Sequence, residues 1–100
     1  MFKLFTHSYL GFIAKAELRD WLVEFLYRID TGLHEIEKDY EKKFPRSWKK
    51  KVEIDRNYNQ LRGKFTVTLC LFQDFNVPLP RVGDRIEKRI ALVGGKLKRK

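Results

Sequence analysis

From Leu18 to Phe44 one apolar residue recurs with the period of an α-helix. Leu18, Leu22, Phe25, Ile29, Leu33, Ile36, Tyr40 and Phe44 are spaced 4, 3, 4, 4, 3, 4 and 4. That spacing keeps a single apolar stripe on one side of a helix and demands a second layer to cover it. Trp21 and Leu26 widen the stripe, while Glu17, Asp20, Glu24, Arg28, Glu35, Glu37, Lys38 and Glu41 lie off it. The stripe passes through Asp30-Thr31-Gly32 without losing phase. A single helix here would be ~42 Å long at 1.5 Å per residue, far more than the ~13 Å radius of gyration expected for 100 residues. Glycine costs about 1 kcal/mol in a helix interior, and Asp30 and Thr31 are N-cap types. We therefore read a bend or break near Gly32, with one long helix as the alternative. Pro45 ends the pattern, because the residue before proline is displaced from helical backbone angles.

The flanking segments read differently. Phe2–Thr6 and Gly11–Ile13 read as short strands, with loose packing on the main helix as the alternative for either. Arg46–Lys51 is either a short helical turn or the lead into a strand, and from Lys51 the period becomes two: Val52 and Ile54 alternate with Glu53 and Asp55, and Phe65, Val67, Leu69 and Leu71 alternate with Thr66, Thr68, Cys70 and Phe72. Alternation of this kind predicts an antiparallel β-hairpin, about 51–56 and 64–72, with Asn57-Tyr58-Asn59-Gln60 near its tip and Gly63 easing the turn. Pro78 and Pro80 mark a connector. Val82, Ile86, Ile90 and Val93 then predict a C-terminal helix over about 81–92, closed by Gly94-Gly95. The expected fold is a single α+β domain over residues 1–95 followed by a basic tail at 96–100.

Charge is concentrated rather than spread. The net charge is +9, and residues 42–64 hold nine of the 22 basic residues against only Glu53 and Asp55. Residues 85–100 hold seven more against Glu87, whereas residues 1–41 are net acidic. Two compact cationic blocks suit a polyanion better than a uniformly solvated surface does. Double-stranded DNA is the expected partner, with RNA as the alternative. Arg46, Lys49, Lys50, Lys51, Arg56, Arg62 and Lys64 are candidate phosphate contacts. Asn57, Asn59 and Gln60 carry the donors and acceptors that base edges require, and Tyr58 offers a ring to stack. Arg85 and Arg89, on one side of the C-terminal helix with Arg81, would add sequence-independent affinity. Neutralising six to eight phosphates predicts a log–log salt slope of about −5 to −7.

Catalysis and cofactor chemistry find no support in the residues. His7 and His34 are 27 positions apart, neither has a diagnostic spacing to Cys70, and no metal-binding or phosphate-loop pattern occurs. The single cysteine allows no internal disulfide, which fits a reducing, cytoplasmic setting. No apolar run reaches the ~18–20 residues that span a bilayer. The aromatic N-terminus lacks a small-residue cleavage site and is not read as a signal peptide.

Two resemblances follow from these residues. A helical region, a basic stretch with Trp48 and a hairpin resemble, in that order, the winged helix-turn-helix proteins, with 57–63 as the wing. Phe75-Asn76-Val77-Pro78-Leu79-Pro80-Arg81-Val82, continued by Ile86–Ile90, resembles the strand-to-helix segment of the alkaline-shock protein family, and Gly11-Phe12-Ile13 would match that family's first strand. The first resemblance implies noncatalytic DNA binding in an accessory or regulatory role. The second implies a protein-interaction or scaffold module that assembles through its amphipathic helix. A DNA-binding homodimer would satisfy both.

Overall fold

A computed structural model describes the backbone of residues 2–93 and the side chains from residue 15 to residue 93; the expected helix stop at Gly94-Gly95, the basic tail at 96–100 and the side chain of His7 lie outside that range. The chain forms four helices: α1 (Phe2–Lys43), α2 (Trp48–Val52), α3 (Arg56–Asp74) and α4 (Asp84–Val93). No β-strand occurs among the described residues, so the α+β expectation is overturned, and with it the hairpin and the winged helix.

α1 is 42 residues long and unbroken, about 63 Å at 1.5 Å per residue. It sets the shape of the molecule, which is 64 Å long and 20 Å across. Gly32 does not divide it. A Cβ there would lie 3.1 Å from Leu61 Cδ1, so the missing side chain lets α3 approach α1 closely. The segments 2–6 and 11–13, expected as short strands, are the first turns of the same helix. The stripe supplies Leu22, Leu26, Ile29 and Leu33 to the core, each at most 7% exposed. Pro45 ends α1 as its backbone restriction requires.

The supposed hairpin is α2 and α3. The tip residues 57–60 form the first turn of α3, which is capped by Asp55: its Oδ1 accepts the Tyr58 backbone N–H at 2.8 Å. The buried residues of α3 are Tyr58, Phe65, Thr68, Leu69 and Phe72, a period of three to four rather than two. Val67, counted on the inward face of a strand, is 59% exposed. Threonine favours strands because its branched side chain and hydroxyl crowd or compete with helical backbone. Here the hydroxyls of Thr66 and Thr68 donate to the carbonyls of Arg62 and Lys64, one turn back. Helix packing therefore satisfies the same residues that alternate like a strand.

α3 ends in a Schellman turn. Val77 N–H donates to Phe72 C=O at 2.8 Å and Asn76 N–H to Gln73 C=O at 3.1 Å, with Asn76 at φ 54°. Val77 and Phe72 are both buried, the hydrophobic contact that accompanies this motif. Leu79 and Val82 carry the core on to Ile86 of α4. Gly83 N–H donates to the Tyr27 hydroxyl at 3.0 Å, pinning the start of α4 to α1. The C-terminal helix begins three residues later than the pattern alone suggests, because the connector needs Val82 as a core residue.

Candidate functional site

The thirteen residues singled out from the sequence fall into three groups. Arg46 lies in the turn between α1 and α2; Lys49, Lys50 and Lys51 are exposed on α2; Arg56, Asn57, Asn59 and Gln60 are exposed on the first turn of α3. Together with Lys42 and Lys43 they gather at one end of the bundle. Lys43 pairs with Asp39 at 3.2 Å. Among the described residues Lys42, Arg46, Lys49, Lys50, Lys51 and Arg56 have no ion pair. Two of them rest on aromatic rings: Lys51 Nζ is 4.2 Å from the Phe44 centroid and Lys49 Nζ is 5.8 Å from that of Trp48. Against these cations the stretch sets two acids, Asp55 and the exposed Glu53, and Asp55 keeps its negative charge. The Tyr40 hydroxyl donates to its Oδ2 at 2.7 Å, and this bond, with the backbone N–H of Tyr58, holds the Asp55 carboxyl below its ordinary pKa. The same bond raises the Tyr40 phenol. Asn59 is partly committed, since its side-chain amide donates to Glu53 C=O at 2.7 Å.

Arg62 and Lys64 stand further along α3. The Arg62 guanidinium lies 5.8 Å from the Tyr58 ring and, with Lys49, borders a cleft of about 510 Å³ walled by Leu33, Trp48, Val52 and Phe65. Lys64 borders a different groove, described below.

Tyr58, Arg85 and Arg89 turn inward. Asp30, 2% exposed on α1, accepts Arg85 Nη2 at 2.6 Å and Arg89 Nε at 2.7 Å. Glu37, two turns further along α1, accepts Arg89 Nη2 at 2.8 Å and Nη1 at 3.0 Å, and the Tyr58 hydroxyl at 2.7 Å. Two carboxylates and two guanidiniums thus close a neutral network that locks α4 and α3 onto α1. Burial raises the pKa of both carboxyls, but the hydrogen bonds from the arginines outweigh it and leave both below their ordinary values. Burial lowers the Arg89 pKa, and its bonds to Glu37 and Asp30 more than reverse that. Burial and the bond to Glu37 both raise the Tyr58 phenol. Every buried side-chain polar atom among the described residues has a partner.

The sequence reading missed Asp30 and Glu37 as counter-ions, taking the first for a capping residue and the second for part of a solvated face. Their signal is a spacing of seven on α1, matched by the spacing of four between Arg85 and Arg89. It also missed an apolar groove of about 650 Å³ between α1 and α3, bordered by Trp21, Phe25, Leu61, Lys64, Val67 and Leu71. Trp21 and Phe25 meet there edge to face with centroids 4.7 Å apart, yet they are 58% and 36% exposed.

No protein-family model, curated protein or solved structure matches the chain. Among the described residues no helix is long and apolar enough to cross a membrane, and no group of three or more His, Cys, Asp or Glu side chains could hold a metal ion.

Proposed function

We infer that the protein binds a polyanion, duplex DNA in the first instance, through the cationic end formed by the C-terminus of α1, by α2 and by the start of α3. One observation carries this reading: six exposed cations without ion pairs to any described residue share that end, while Arg85 is engaged and Arg89 is largely buried in the interior network. Phosphates are contacted without regard to base sequence by such side chains, and each neutralised phosphate releases counterions. The reader of the duplex is then helical surface and not a wing. Six contacts correspond to a log–log salt slope of about −5.

The test is binding of a labelled duplex and a single-stranded oligonucleotide between about 50 and 200 mM salt, where a protein with this many contacts loses orders of magnitude in affinity. Replacing Lys49, Lys50 and Lys51 with glutamine should weaken binding at least tenfold. Absence of binding at the low-salt end refutes the reading. A protein-interaction role through α1 is the second reading, and the exposed Trp21 and Phe25 beside the α1–α3 groove favour it.

A further inference from the structure

All four helices contribute to the cleft of about 510 Å³ that Lys49 and Arg62 border. Its volume falls within the range of small-ligand sites, about 300–1,000 Å³. The inner wall is apolar, because Leu33, Val52 and Phe65 belong to the buried core. At the edge the apolar lining reaches solvent: Leu92 of α4 is 88% exposed, and the Trp48 indole of α2 is half-buried.

The polar lining divides into groups already engaged and groups left over. Glu37, Arg89 and Tyr58 are bonded to one another. Lys49, Glu53 and Arg62 are exposed, line the cleft and have no ion pair to any described residue. The Thr66 hydroxyl donates to Arg62 C=O at 3.1 Å and keeps its lone pairs for accepting. Two cationic donors and two acceptors thus stand around an aromatic ring and an apolar wall. A simple amphiphilic anion, such as an alkyl carboxylate, answers the cations and the wall but meets like charge at Glu53. A nucleotide answers the whole set. Its phosphate suits Lys49 and Arg62, its base edge brings N–H donors for Glu53 and Thr66, and its ring face suits Trp48.

Lys49 belongs both to this cleft and to the cationic end, so the two are continuous. We propose that the cleft holds one unpaired base of the nucleic acid whose phosphates the cationic end contacts. This rests on the polyanion reading and narrows its ligand. Bases inside a duplex are paired and stacked, so taking one out costs free energy that a single-stranded extension does not require. The preferred ligand is therefore a duplex that carries a single-stranded extension, with its backbone on the cationic end and the first free base beside Trp48. The basic residues 96–100, next in sequence after the cleft's α4 edge, bring charge of the same sign as Lys49 and Arg62 and do not answer this lining.

Three ligands test this with the full chain: a blunt duplex, the same duplex with a short single-stranded extension of either polarity, and that extended duplex with abasic sites in place of the extension's bases. The last two carry equal numbers of phosphates. The base-bearing extension should bind at least about fivefold tighter than the abasic one, the low end for one stacked base. That ratio should hold between about 50 and 200 mM salt, because the base releases no further counterions. In a Trp21→Phe background, which leaves Trp48 as the single tryptophan, the base-bearing extension should quench the fluorescence and the abasic one should not. Trp48→Leu, which keeps an apolar side chain against the core, should remove the preference while leaving blunt-duplex affinity and the helical circular dichroism unchanged. Equal binding of the two extended duplexes, with the blunt duplex still bound, overturns the base site and leaves the polyanion reading standing. A preference that survives Trp48→Leu also overturns it, because the base then lies elsewhere. Binding of none of the three at about 50 mM salt removes the polyanion reading, and this proposal with it.

Discussion

Asp30 and Arg89 lie 59 positions apart in the chain and 2.7 Å apart in the fold. Both side chains are largely withdrawn from water, at 3% and 14% exposure. A buried ion pair adds little over an apolar pair of the same shape, but removing one partner leaves the other charge stranded. Asp30→Ala should therefore destabilise the protein by about 3–5 kcal/mol, read as the shift in a urea unfolding curve. Arg85, partly exposed, can follow solvent when Asp30 is lost; Arg89 cannot, so the loss should be much smaller in an Arg89→Met background. Equal losses in both backgrounds would show that the network is not what anchors α4.

The same network predicts an acid limit. Asp30 and Glu37 have folded-state pKa values below their ordinary ones, because the arginine hydrogen bonds outweigh burial. A carboxyl depressed in the folded state binds protons more weakly there than in the unfolded chain. Its contribution is complete above the ordinary carboxylate pKa of about 4 and is lost as pH falls through the lower folded value. The melting temperature should be flat on this account from neutrality down to about pH 5 and fall below about pH 4. Glu37→Gln should flatten the acid limb. An unchanged acid limb in that variant would place the titration elsewhere.

Much of this architecture is legible in the residues, and the failures have physical causes. The stripe of α1, the stop at Pro45 and the amphipathic pattern of α4 are local, and local periodicity reports them. The region 51–72 is not decided locally. Phe65, Val67, Leu69 and Leu71 alternate, but Tyr58, Leu61, Phe65, Leu69 and Phe72 also fit a helical face, and packing against α1 selects the second pattern. Thr66 and Thr68 remove the remaining objection by bonding back to the helix. The cationic stretch was visible as charge. What charge alone does not reveal is that Arg85 and Arg89 have counter-ions more than fifty positions upstream, so the second basic block counts for less than its composition implies.

Gly32 offers a check on the continuity of α1. If the helix bent there, glycine would be serving an unusual backbone conformation and alanine would harm it. In a straight helix alanine is favoured over glycine by about 1 kcal/mol. The contact to be relieved is with Leu61 Cδ1, the end of a flexible, half-buried side chain, at 3.1 Å. Gly32→Ala should therefore be neutral or stabilising by up to about 1 kcal/mol, whereas Gly32→Leu, which cannot be absorbed by a small rotation of Leu61, should cost about 1–3 kcal/mol. Thermal melts of the two variants decide it; a strongly destabilised alanine variant would mean that α1 is not straight at this point.

The division between cationic end and interior network makes a last prediction, one that separates binding from folding. Lys50 is exposed, has no ion pair to any described residue and lies on the helix nearest the end of the bundle. Surface substitutions of this kind change stability by no more than about 0.5 kcal/mol. Lys50→Gln should leave the melting temperature in place, weaken duplex binding, and reduce the salt slope by about 0.9, one phosphate contact. Arg89→Gln should do the reverse. It breaks bonds to Asp30 and Glu37, so stability should fall, while the salt slope of the folded fraction stays unchanged because this guanidinium neutralises interior carboxylates and not phosphates. If Arg89→Gln lowered the salt slope as much as Lys50→Gln, the interior arginine would have to leave its carboxylates to reach the ligand, and α4 would be part of the binding surface.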